Sequence, residues 1–371
     1  MFDHLDDPHP PDLAPLRDPV LVSGGRRRRH RRWGQSLASI AVVVAVVGAG
    51  LGLVDRRLAS VDRVQVDVGT PPSVGAGPVT VLLVGTDRGI EGVPADASRP
   101  ARGLTDSLLV VRLDPRTSSV RLLSVPRDLW LTRADGSGVR LDQVLGDAGP
   151  QALLDDVASV TGTRIDHYAE VDLAGIAGAV DAVGGVPLRS TTEVRDTASG
   201  FQLAPGCQVV DGSQARAYLR ARHLEWRDAA GRWVEDPTSD LGRMARGREV
   251  AAALLARLAA STNPVDVVSA VDRVLQHVTI DASWSRADLV GLVQDLRALD
   301  PSHIAGAALD TTATVEPGGV AALAATPGSA LAASAFLDGS APTAPPSSPS
   351  STSSPSSTPG PAPVHAVAGC P

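Results

Sequence analysis

Arg26-Arg27-Arg28-Arg29-His30-Arg31-Arg32 runs straight into a charge-free stretch from Trp33 to Val54, with SIAVVVAVVGAGLGLV at its heart. About twenty consecutive apolar residues in a helix cross a bilayer's hydrocarbon layer. A buried core helix or a cleaved leader are the other ways to use such a run. It is longer than most leader h-regions and lies behind a polar segment, Met1 to Gly25, which favours a retained signal anchor. The expected order is a basic leader over 1–33 and a transmembrane helix over 34–54. The Arg cluster precedes the span, and only Asp55, Arg56 and Arg57 follow it closely, so the positive-inside rule puts the leader in the cytoplasm. The remainder is then extracellular, on a single-pass protein of the cell membrane.

The chain has 371 residues, 43% of them hydrophobic, enough for one sizeable core or two small ones. Its formal charge is −7 and every basic side chain but the histidines is Arg, which disfavours a coat for nucleic acid. Two cysteines, Cys207 and Cys370, exclude a disulfide-dense scaffold and a multi-cysteine zinc site. With aromatics at 3%, the core must be Ala, Val and Leu. Composition then marks a short stalk over 55–77 ending in Thr70-Pro71-Pro72, a folded unit over 78–339, and a Ser/Thr/Pro-rich tail over 340–371. That tail has too little apolar surface to offset its ordering entropy and is expected to be disordered, either as a spacer or as a carrier of O-linked sugars.

Within the folded unit, Val79 to Gly85 reads as a buried strand. Ser107 to Leu113 and Val120 to Val125 read as two more, joined by the turn Asp114-Pro115-Arg116-Thr117. Those three are expected in the middle of a sheet. Helical spacing appears over Pro150–Val160, Leu173–Val183, Leu241–Ala260, Pro264–Val274 and Arg286–Leu299. The fold class is therefore an α/β sandwich with a central mixed sheet flanked by helices, behind one transmembrane helix.

Asp87 ends the first strand and Asp106 precedes the second, so both carboxylates can stand at one sheet edge and hold a hard cation such as Mg²⁺. By spacing alone they can equally be turn or cap residues. Arg127 follows Pro126 at the end of an apolar strand; Arg220 and Arg222 sit two residues apart; Arg243 and Arg246 open a helix. Planar guanidinium forks bind phosphate through two hydrogen bonds, so repeated Arg suits a diphosphate. In a chain without Lys, however, any one of them can simply be a surface cation.

The order TDSLLVVRLDPRTSSVRLLSVPRDLWL, TGTRIDHYAEVDLAGIAGAVDAVGGV, DGSQARAYLRARHLEW, DPTSDLGRMARGREV resembles the LytR-CpsA-Psr family of cell-envelope phosphotransferases, in its actinobacterial form, over Pro78 to Gly339. The resemblance implies a magnesium-dependent, membrane-anchored extracytoplasmic enzyme. It would move a glycopolymer from a polyprenyl diphosphate carrier to peptidoglycan, form a phosphodiester and release polyprenyl phosphate. Asp87 and Asp106 match the family's magnesium aspartates, and Arg127, Arg220, Arg222 and Arg243 match its pyrophosphate-binding arginines. Arg102, Arg140 and Arg246 are expected to touch substrate. Departures are Leu104 where the family has Arg, Arg140-Leu141-Asp142 where it has a cation followed by Ile-Asn, and Gly247 where it has Gln. Water in place of the sugar hydroxyl would give a pyrophosphatase side reaction. The contrasting function is a membrane-tethered glycolipid-binding scaffold that keeps the fold without turnover.

Four geometric expectations follow. Asp87 and Asp106 should share a cation. Leu173 to Val183 should form one wall of an apolar groove for the lipid, or else be ordinary core. Residues two apart on a helix point about 200° from each other; for Arg220 and Arg222 to serve one diphosphate, the helix from near Ser213 should end around Leu219. Cys207 and Cys370 lie in an oxidising compartment and pair with each other, stay free, or pair with another molecule.

Overall fold

The computed structural model describes residues 61–72, 75, 77–86, 105–133, 136–261, 264–316, 319–340, 364–367 and 370. The apolar run Trp33–Val54 lies outside them, as do Asp87, Arg102 and Leu104. No helix among the described residues is long and apolar enough to cross a membrane.

In chain order the elements are β1 (Asp62–Val64), β2 (Val79–Thr86), β3 (Thr105–Asp114), β4 (Ser119–Val125), β5 (Trp130–Thr132), β6 (Gly138–Arg140), α1 (Leu141–Thr161), β7 (His167–Asp172) and α2 (Leu173–Ala182). There follow β8 (Val186–Ser190), β9 (Val194–Asp196), β10 (Phe201–Leu203), β11 (Gly206–Val210), α3 (Gly212–Arg220), β12 (Glu225–Arg227), β13 (Trp233–Glu235) and α4 (Ser239–Ala260). The chain continues through α5 (Pro264–Leu275), β14 (Val278–Asp281), α6 (Arg286–Arg297), β15 (Ile304–Ala308), β16 (Thr311–Glu316), β17 (Val320–Ala325), α7 (Ser329–Asp338) and β18 (His365–Ala366).

A seven-stranded sheet in the order β1-β14-β7-β2-β3-β4-β15 mixes parallel and antiparallel pairs. β2, β3 and β4 are adjacent in it, as the sequence predicts. Their near-continuous apolar runs are explained by burial on both faces. Because side chains alternate across a strand, Leu108, Val110, Leu123 and Val125 pack with α1 and α7, while Leu109, Leu113, Val120 and Leu122 pack against α4 and α6. The sandwich expected from the sequence is thus present. A second core, around Phe201, Tyr218, Leu188 and Val250, joins α3 and α4 to the smaller sheet β11-β8-β18.

Three boundaries differ from the reading of the sequence. The stretch marked as a stalk contributes β1 to the sheet, and Val61 and Val68 are buried. α1 starts at Leu141 rather than Pro150, because Gly149 at φ 84 breaks it and the pattern was legible only beyond that break. The far end of the tail is docked: β18 pairs with β8, Val364 is buried, and Cys207 is bonded to Cys370. The intramolecular disulfide is thus the pairing that forms.

Candidate functional site

Asp106 is set in place by a β-bulge. β2 and β3 pair regularly as far as Gly85↔Ser107, and the next pair is Thr86↔Thr105, so Asp106 is the extra residue on β3. A bulge re-aims the side chains beside it. Strict alternation would send Asp106 and Ser107 to opposite faces, yet both line one cavity.

Three guanidinium groups converge on Oδ1 of Asp106: Arg127 Nη1 at 3.2 Å, Arg243 Nη1 at 3.2 Å and Arg222 Nη2 at 3.7 Å. Arg243 also donates through Nη2 to the Asp106 carbonyl at 3.1 Å. One carboxylate among three cations leaves the cluster positive. The Arg127 and Arg243 side chains are only 15% and 10% exposed, so water screens their mutual repulsion poorly and an anion is favoured between them.

Each arginine comes from a different part of the fold. Arg127 sits in the turn after β4, where the Asp142 N–H donates to its carbonyl at 2.9 Å and the Leu129 N–H donates to that of Pro126 at 3.2 Å. Arg220 is the last residue of α3 and Ala221 turns to φ −61, ψ 120, so the helix ends one residue past the expected point and Arg222 leaves in a new direction. Both Arg220 and Arg222 line the cavity. Asp196, fully buried, accepts the His223 N–H at 2.9 Å and fixes the turn. Burial pushes the Asp196 carboxyl up, but the N–H groups of Ser199, His223, Ala198 and Arg222 outweigh it and hold it below the usual carboxylate range.

The cavity, about 600 Å³, runs from this cluster into an apolar interior. Leu173, Ile176 and Ala179 of α2 form one wall, as expected for the helix over Leu173–Val183, with Leu83 and Leu109 of the sheet and Leu254 of α4 opposite. A smaller cavity of about 240 Å³ lies beside Arg127, Asp128 and Arg243.

Two residues expected to touch substrate do something else. The Arg140 guanidinium is committed to Asp142, at 2.8 and 2.7 Å, and to Asp128 at 3.5 Å; it lines neither cavity and braces the turn carrying Arg127. Arg246 is buried, pairs with Asp236 at 3.2 Å, donates to the Ala221 carbonyl, and so holds open the break between Arg220 and Arg222. Gly242 makes room: a Cβ there would stand 2.8 Å from Asp236 Oδ2 and 2.3 Å from Thr238 Oγ1. Replacing Arg246 by Ala should destabilise the protein by roughly 3–5 kcal/mol, since it leaves a buried Asp236 charge without its partner; urea unfolding measures this.

Arg248 was not singled out by the sequence. It lines the large cavity, donates to Ser124 Oγ at 3.0 Å, and burial pushes its guanidinium below its ordinary range. Its spacing gave no signal, since on a helix it points about 140° away from Arg243 and about 200° away from Arg246. Gly247 lines the cavity too, and a Cβ there would meet nothing within 4 Å. Gly247→Ala should therefore stabilise the helix by about 1 kcal/mol, read as a raised melting temperature.

Asp106 is the one carboxylate of the large cavity among the described residues, and no group of three or more potential metal-binding side chains occurs among them. Mg²⁺ commonly takes one or two protein carboxylates and completes its shell with water and phosphate oxygens. Asp106 fits such a role. Asp87 follows Thr86 in sequence and lies outside the described residues.

Fold and site together define an α/β sandwich with a cationic, phosphate-type anion site at the mouth of an apolar cavity. The family profile LytR_cpsA_psr matches residues 56–328, and the chain belongs to that family. Its relatives place it with the actinobacterial members. A probable cell wall biosynthesis protein LcpB from Corynebacterium glutamicum is 32% identical over 64% of this chain and 56% of its own length. The cell wall biosynthesis protein LcpA of the same organism is 26% identical over 76% of this chain and 62% of its own. The polyisoprenyl-teichoic acid–peptidoglycan teichoic acid transferase TagU of Bacillus mycoides is 31% identical over 53% and 59%. The chain thus spans between half and two thirds of the length of these relatives. Among solved structures, a LytR-Csp2A-Psr enzyme from Actinomyces oris shares the fold with a TM-score of 0.58 at 22% identity, covering 75% of this chain and 96% of that one.

Proposed function

We propose that the protein is a membrane-anchored, extracytoplasmic phosphotransferase that moves a glycopolymer from a polyprenyl diphosphate carrier onto peptidoglycan. The observation that carries this reading is the continuity of the arginine cluster with the apolar cavity. A lipid diphosphate has a polyanionic head and a hydrocarbon tail, and the two parts of the site complement them in that order. The transferase named among the relatives, TagU, has a polyisoprenyl-linked polymer and peptidoglycan in its own description.

In this mechanism a peptidoglycan sugar hydroxyl attacks the sugar-side phosphorus. Its oxygen forms the new phosphodiester as the bond from that phosphorus to the bridging oxygen breaks, and polyprenyl monophosphate departs with the electron pair. The hydroxyl proton is lost to solvent. Arg127, Arg222 and Arg243 neutralise the non-bridging oxygens and the charge that builds on the leaving phosphate, a role suited to preorganised guanidinium groups in a partly buried site. Arg220 adds a further cation at the cavity wall. Mg²⁺, held by Asp106 with Asp87 as its expected second ligand, would supply Lewis-acid polarisation of the phosphate oxygens. The Trp33–Val54 run anchors the enzyme at the membrane, with the leader Arg26–Arg32 inside the cell and the site arginines Arg127, Arg222 and Arg243 outside it.

Incubating the protein with a synthetic polyprenyl diphosphate sugar and Mg²⁺ should release polyprenyl monophosphate, and chelation should stop it. Tight binding of the lipid without release would instead establish the scaffold function.

A further inference from the structure

We infer that the smaller cavity beside Arg127 is the acceptor subsite, which receives the ring of the sugar whose hydroxyl attacks; this rests on the proposed transfer reaction. Among the described residues, the two cavities share only Arg243 and Met244 in their linings. From that point they extend opposite ways along α4. The smaller takes Thr238 and Leu241; the larger takes Gly247, Val250 and Leu254. At about 1.5 Å per residue these stretches lie well apart.

Phosphoryl transfer brings the attacking and leaving oxygens roughly into line across the phosphorus. With the lipid in the larger cavity, the leaving phosphate lies on that side of the arginines. The hydroxyl must then come from the other side, where the smaller cavity opens. Its size, about 240 Å³, suits one sugar ring.

Its chemistry also suits a sugar. Ala321, Ala322 and Leu323 of β17 contribute apolar atoms to its lining, while Asp128 and Thr238 supply polar atoms. Asp128, at 3.8 Å from Arg127 Nε and 3.5 Å from Arg140 Nη1, is a charged acceptor for the hydrogen of the attacking hydroxyl. The Leu323 N–H donates to the Asp128 carbonyl at 3.0 Å, so the hairpin wall and the arginine turn are held in register. In the transfer step the hydroxyl oxygen bonds to the sugar-side phosphorus and the bridging P–O bond breaks toward the lipid phosphate. The hydroxyl proton, oriented by Asp128, passes to solvent.

Ala321 is exposed on its strand, so Ala321→Trp should fold while narrowing the cavity. With a lipid-diphosphate sugar donor and a soluble muramyl glycan acceptor, the ratio of acceptor KM to donor KM should rise at least about tenfold in this variant. An unchanged ratio in a variant that melts like wild type overturns the inference alone. Absence of donor cleavage by the wild-type protein overturns the transfer reaction beneath it. Should the variant fail to fold, photocrosslinking of a diazirine-bearing glycan to the wild-type protein decides. Label on the β17 strand supports the subsite, and label confined to α2 and α3 overturns it.

Discussion

Arg243→Ala should lower kcat/KM for a polyprenyl diphosphate-linked donor by about 10²–10³, the loss typical when a preorganised donor to a developing negative charge is removed. The Arg243 guanidinium donates to both the carboxylate and the backbone carbonyl of Asp106, and Arg243 borders both cavities. Arg243→Lys should recover little, because a point charge cannot replace a planar fork spanning two acceptors. Stability should change far less than activity: Asp106 keeps Arg127 and Arg222, so the variant leaves no orphaned charge. Steady-state release of polyprenyl monophosphate, compared with the unfolding midpoint of the same preparation, separates the two effects. Equal losses in both would mean that Arg243 acts on the fold.

Cys370→Ser, or truncation before Val364, should lower the melting temperature by roughly 4–20 °C, given a contribution of about 2–5 kcal/mol from a long-loop disulfide and about 2–4 °C per kcal/mol in a domain of this size. The bond joins residues 163 apart in sequence, so it restricts a large part of the unfolded chain. Truncation also removes Val364 from the second core and the strand pairing of β18. The Tyr218 hydroxyl loses the Val364 carbonyl at 3.4 Å, and Glu249 loses His365 at 3.3 Å. The hydrogen bond to Glu249 raises the His365 pKa above its ordinary 6.5. A raised histidine pKa contributes stability that is complete below the unfolded value and fades as pH climbs through the folded one. The melting temperatures of the full-length and truncated forms should therefore draw closer as pH rises above about 6.5. No residue of the C-terminal strand lines either cavity, so turnover at low temperature should survive the cut. Calorimetry across this pH range, with and without reductant, measures all of these.

The sequence made the secondary structure legible where burial imposed a strong pattern. The runs in β2, β3 and β4 are apolar because both faces are covered, and the helix starts at Leu173 and Arg286 are announced by Asp172 and Ser285, whose side chains cap them. The break after α3 was legible for a different reason: two arginines two residues apart serve one site only if the helix stops between them. What stayed hidden depends on tertiary pairing. The bulge at Asp106 comes from how β3 meets β2, and no residue of TDSLL announces it. Arg140 and Arg246 were expected to touch substrate, but each is tied to a carboxylate: Arg140 to Asp142 two residues on, a local pair that the sequence leaves undistinguished from a ligand, and Arg246 to Asp236, which the folded chain brings within reach. Asp196, silent in the sequence, gained its place because the Arg222–His223 turn needed an acceptor for its N–H groups.

The fate of the two phosphorus atoms tests the central claim most directly. A polyprenyl diphosphate sugar labelled with ³²P only on the sugar-side phosphorus is incubated with the protein, Mg²⁺ and peptidoglycan fragments, and the label is followed by chromatography. Transfer across the arginine cluster puts the label into the glycan in a phosphodiester and leaves unlabelled polyprenyl monophosphate. Label retained on the lipid would mean that the glycosidic bond breaks rather than the diphosphate, and would contradict the account.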